Sequence, residues 1–86
     1  MKIENTRQLG KLIKMVRQSQ ALDQSTAGLL SGNGLTFMSQ LENGKESVEI
    51  GRVLKLLDQL GIELSVDLPP NIEEKVLNKI KQIKAD

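Results

Sequence analysis

Asp23-Gln24-Ser25-Thr26-Ala27-Gly28-Leu29-Leu30-Ser31-Gly32-Asn33-Gly34-Leu35-Thr36-Phe37-Met38-Ser39-Gln40-Leu41-Glu42-Asn43-Gly44-Lys45 is the stretch that decides the fold of this 86-residue chain. Asp23 suits a helix N-cap, because its carboxylate accepts backbone N–H groups that a first turn leaves unpaired. A short helix over 24–30 follows. Ser31-Gly32-Asn33-Gly34 then gathers two glycines and an asparagine, which marks a tight turn with residues at positive φ. Beyond it Leu35, Met38 and Leu41 recur at spacings of three and predict a helix over 35–43, stopped by Gly44. Two short helices about a glycine turn make a helix-turn-helix. In that motif the first helix braces on the sugar-phosphate backbone and the second lies in the major groove, its early residues at base edges.

Upstream, Leu9, Leu12, Ile13 and Val16 form an apolar stripe that predicts a helix over 6–20, capped by Asn5 or Thr6. Arg7, Lys11 and Lys14 make a basic stripe on another face. Downstream, Val48, Val53, Leu56, Leu57 and Leu60 give a helix over 47–60 a broad apolar face, and Gly61 ends it. Ile62, Leu64, Val66 and Leu68 alternate with Glu63, Ser65 and Asp67, the period of a strand with one buried face, and Pro69-Pro70 closes it. Residues 71–86 read as a last helix, with Asn71 and Glu74 spaced as a capping box and Ile72, Val76, Ile80 and Ile83 on one face. That face suits packing on its own domain or on a second subunit, or docking into a groove of another protein. The expected architecture is mainly α: a helix-turn-helix domain over 1–61, a strand over 62–68 and a helical tail over 69–86.

Composition removes whole classes of chemistry. The chain has no cysteine and no histidine, so Cys/His zinc sites, cysteine nucleophiles, Ser-His triads and histidine acid-base catalysis are excluded. No metal cluster, cofactor loop or acid-base pair stands out; the nearest feature is the adjacent Glu73-Glu74, which reads as solvated surface. A non-enzyme without metal or cofactor is expected. The polar start MKIENTRQLG and the lack of a long apolar run point to a cytoplasmic protein without membrane contact. Net charge is only +1, so distribution matters more: from Met1 to Leu22, five basic residues face one acid, Glu4.

The ordered set Arg17, Gln24, Gly32, Ser39, Glu42, Gly44 and Lys45, ungapped, resembles the Xre family of helix-turn-helix repressors over about 9–60. Ser31–Met38, Leu41–Lys45 and Ile50-Gly51-Arg52-Val53-Leu54 leading into Leu60-Gly61-Ile62 resemble the branch of HipB-type antitoxins. The resemblance implies a lambda-repressor-like helix-turn-helix domain, one dimer-forming β-strand and a short C-terminal helix. It implies a bacterial homodimer that binds double-stranded operator DNA and a HipA-like serine/threonine kinase toxin. A stand-alone Xre-type repressor and a protein-interaction module that has lost DNA binding are the alternatives. The sequence departs from the family at Asp23, where Thr or Asn is usual, and at Ala27-Gly28, where Leu-Ala is usual. Gly28 inside a helix costs about 1 kcal/mol relative to alanine.

The candidate DNA-binding residues are Gln24, Gly34, Leu35, Thr36, Ser39, Gln40 and Lys45. Gln24 would hold a phosphate at the helix start, Lys45 would touch another, and Gly34 would allow close approach. Gln40 suits adenine, Thr36 and Ser39 suit either bonding partner, and Leu35 suits a thymine methyl or the core. Phe37 is expected in the core. The resemblance pairs Arg17 with Glu42 in a structural salt bridge. Ile62, Leu64, Val66 and Leu68 are the expected dimer interface, and Ile72, Val76, Ile80 and Ile83 are candidates for partner docking.

Overall fold

The computed structural model describes residues 1–84, which form five helices: α1 (Thr6–Ser19), α2 (Gln24–Leu30), α3 (Leu35–Glu42), α4 (Ile50–Leu60) and α5 (Glu74–Lys81). Asn5 starts α1, its side-chain oxygen accepting the Gln8 N–H at 2.8 Å. Asp23 starts α2 in the same way, accepting the Thr26 N–H at 2.7 Å. The first four helices enclose one core of Ile13, Ala27, Met38, Leu41, Val53, Leu56, Leu57 and Leu60. Leu9, Val16, Leu22, Phe37, Val48 and Ile62 pack around it.

A close approach of α1 to α3 runs through Gly10, which the apolar pattern did not single out. A Cβ there would lie 2.4 Å from the Leu41 carbonyl oxygen and 2.7 Å from that of Glu42. Only hydrogen lets α1 lie against the end of α3. Gly28 has a similar reason: a Cβ would stand 2.7 Å from the Asn33 carbonyl oxygen. The turn folds back on α2, with the Asn33 N–H donating to the Gly28 carbonyl at 2.7 Å. Within Ser31–Gly34 only Gly32 takes a positive φ, +73°, whereas Gly34 is the ordinary extended N-cap of α3.

Helix α4 begins at Ile50, three residues later than the expected 47. Val48, counted on its apolar face, packs on the core from the preceding loop instead. The tail departs further. Residues 62–68 form no strand, and no β-ladder occurs among the described residues. A strand is defined by hydrogen bonds to a neighbour, and among the described residues no segment pairs with 62–68 in this way. Helix α5 is shorter than expected, and its N-cap is Glu73, without a side-chain cap bond. Asn71 lies in the preceding turn, so no capping box forms; residues 85–86 of the expected helix lie outside the described residues. α5 makes no extended contact with the other helices. The radius of gyration is therefore 15.2 Å, against about 12 Å for a compact domain of this length.

Candidate nucleic-acid interface

Helix α3 turns Met38, Leu41 and Glu42 inward and rests Phe37, half-buried, against the core. Its other face is open. Leu35 is 58% exposed, Thr36 and Gln40 are exposed one turn apart, and Ser39 is half-buried at the edge. Gly34 precedes this face and Lys45 follows it, both exposed. The Lys45 N–H donates to the Gln40 carbonyl at 3.0 Å, which fixes the loop to the last turn of α3.

A buried polar joint holds that helix. Arg17 Nε donates to Glu42 Oε2 at 2.7 Å and Nη2 donates to Oε1 at 2.8 Å, while Nη1 donates to the Leu22 carbonyl at 2.9 Å. The Arg17 and Glu42 side chains are 8% and 2% exposed. The hydrogen bonds to Glu42 hold the Arg17 pKa above its ordinary value, against the opposing effect of burial. Gln24 Nε2 also donates to Glu42 Oε1, at 3.1 Å. One amide hydrogen of Gln24 is thus turned inward, and Glu42 joins α1, the start of α2 and the end of α3.

Two further residues, Asn33 and Arg52, brace the motif in roles that the sequence did not indicate. Asn33 is buried, its amide donating to Ser31 Oγ at 2.9 Å and reaching the Arg52 carbonyl at 3.5 Å. The Arg52 guanidinium lies 6.0 Å from the centre of the Phe37 ring and its Nε is 2.6 Å from Glu49 Oε2. Nothing in periodicity marks a turn asparagine as a buried bridge to α4.

The remaining sequence candidates sit apart from this face. Ile62 packs half-buried on the core, while Leu64, Val66 and Leu68 are exposed. Together with Ile3, Leu9, Leu12 and Leu57, Ile62 and Leu64 line a groove beside the N-terminal arm. On the tail, Ile72 and Ile80 are half-buried, and Val76 and Ile83 are exposed. Among the described residues no group of three or more possible metal ligands occurs, and no helix is long and apolar enough to cross a membrane.

No family model matches the chain. The uncharacterized HTH-type transcriptional regulator y4mF of Sinorhizobium fredii is 35% identical over 68 residues, covering 79% of this chain and 90% of that protein. A chain of the HipA-HipB-O2-O3 complex is similar with a TM-score of 0.72 and 25% identity, over 78% of this chain and 94% of its own length. The HipB-O4 20mer complex gives the same values. The restriction-modification controller protein C.AhdI from Aeromonas hydrophila is similar with a TM-score of 0.62 and 29% identity, over 67% of this chain and 84% of that one.

Proposed function

Because the chain belongs to the HTH-type transcriptional regulators, as a HipB-like member of the Xre family, we propose that it is an antitoxin and autorepressor: a dimer that binds a palindromic operator and neutralises a HipA-like serine/threonine kinase. The observation that carries the DNA part is the open face of α3, with Leu35, Thr36, Ser39 and Gln40 presented by a helix whose far end is locked through Glu42.

Gln40 offers an amide that pairs with adenine, the Thr36 and Ser39 hydroxyls bond either donor or acceptor edges, and Leu35 meets a thymine methyl. Gly34 lets the backbone come close. The free N–H groups at the start of α2, around Gln24, take one phosphate and Lys45 takes another. Pairing of residues 62–68 between two copies gives the exposed Leu64, Val66 and Leu68 a partner and supplies the missing ladder. Such a dimer sets its recognition helices about 34 Å apart, one duplex turn. The apolar face of the tail, with Ile72, Val76, Ile80 and Ile83, is the candidate surface for the kinase, and no catalytic step is assigned to this chain.

The test is fluorescence anisotropy of the purified protein on DNA from its own promoter, with scrambled DNA as control, across a salt series. Selective binding that weakens steeply with salt is expected. No preference at any salt concentration would favour a protein-interaction module. Co-purification with a HipA-like kinase, and loss of its activity in the complex, is expected of the antitoxin. Promoter binding without such a complex would leave a stand-alone repressor, a reading that the regulator y4mF, matched over 90% of its length, also supports.

A further inference from the structure

Residues 23–43, the two helices and turn that would meet DNA, contain no lysine and no arginine, and both their charged residues, Asp23 and Glu42, are acidic. Phosphate neutralisation supplies nearly all non-specific DNA affinity, one cation for each contact. On the operator-binding reading above, on which this inference rests, the cations must come from outside the motif.

The fold brings such a set to the end of α3. Thr6 Oγ1 donates to the Gly44 carbonyl at 2.8 Å, and a Cβ on Gly44 would lie 2.8 Å from Arg7 Cα. The first turn of α1 therefore lies directly against the loop that carries Lys45. Arg7 and Lys11 are four residues apart on α1, both exposed, on one face. Their charges are available. Lys2, Arg17 and Arg52 are paired with Glu4, Glu42 and Glu49, whereas Arg7, Lys11 and Lys45 form no ion pair among the described residues. We infer that Arg7, Lys11 and Lys45 form one phosphate-binding ridge beside the recognition helix, which grips the DNA backbone for a motif that has no cation of its own.

The experiment compares the slope of log affinity against log salt for the full chain, Arg7→Ala, Lys11→Ala and the double variant, on promoter and scrambled DNA. Each removed contact should reduce the slope by about 0.9, hence about 1.8 per substitution in a two-fold dimer. Binding to both DNAs should weaken by the same factor, so the preference for the promoter survives. Arg7→Lys should keep the slope, as should Lys75→Ala on the tail, and all variants should melt with the parent because the side chains are exposed. A double variant with the parent's slope, while the parent binds its promoter, would overturn the ridge alone. A parent that binds no DNA at any salt would overturn the operator reading and the ridge together.

Discussion

Removal of the Glu42 carboxylate would leave the Arg17 guanidinium buried, with the Leu22 carbonyl as its remaining partner. Breaking a buried pair from one side costs about 3–5 kcal/mol, because a charge stays uncompensated. Glu42→Ala should therefore lose most of the stability of so small a domain in urea denaturation. Asp23 acts at the surface through its cap. The Thr26 N–H, and then the Thr26 hydroxyl, hold its carboxyl below the usual range, with a smaller effect from Arg17. A folded-state pKa below the unfolded one gives stability that is present above the unfolded value and is lost as pH falls through the folded value. Asparagine also caps but does not titrate. The stability difference between the parent and Asp23→Asn should be constant above about pH 5 and shrink below about pH 4, as read from melts across pH. The pairing of Arg17 with Glu42 was legible through the resemblance, from two residues at fixed places in an ordered set. Gly10 and Gly28 were not, since inside a helix pattern a glycine reads as a propensity cost. What makes each one necessary is a carbonyl that approaches it from another part of the fold.

The helices of the domain were legible because each carries its own signals: Asn5 and Asp23 as caps, Gly44 and Gly61 as stops, and apolar residues at helical spacing. The start of α4 was missed because Val48 serves the same core from a loop, and apolar spacing does not record backbone conformation. The segment 62–68 shows the limit of pattern more sharply. Alternation records only the spacing of apolar residues, and a ladder requires a second strand that none of the described residues provides. Leu64, Val66 and Leu68 are accordingly exposed. With dimer formation through these residues, Val66→Lys should shift the protein toward monomer in sedimentation velocity while the helical signal in circular dichroism stays. A dimer of unchanged strength would place the interface elsewhere. For the tail, Asn71 and Glu74 had the spacing of a capping box, yet the turn at Pro70-Asn71 lies outside the helix and Glu73 takes the cap position. Spacing alone does not say where a turn ends.

For the whole molecule, a net charge of +1 conceals an uneven layout. The helix-turn-helix carries no cation, the first helix carries several, and the recognition face of α3 is neutral and hydroxyl- or amide-bearing. On the proposed reading, affinity and selectivity fall to different parts: charge at α1 and Lys45 would hold any duplex, and Thr36, Ser39 and Gln40 would choose one. The exposed position of those side chains separates their contribution from folding. Substitutions there should leave stability within about 0.5 kcal/mol of the parent.

The most direct measurement is therefore the affinity of Thr36→Ala/Gln40→Ala for promoter and scrambled DNA at one fixed salt concentration, beside the parent and with melts as a control. Good base contacts are worth about 1–3 kcal/mol of discrimination each, so the double variant should lose at least about tenfold in preference for the promoter. It should keep the parent's affinity for scrambled DNA and its melting temperature. An undiminished preference in a folded double variant would contradict the assignment of α3 as the helix that reads the operator.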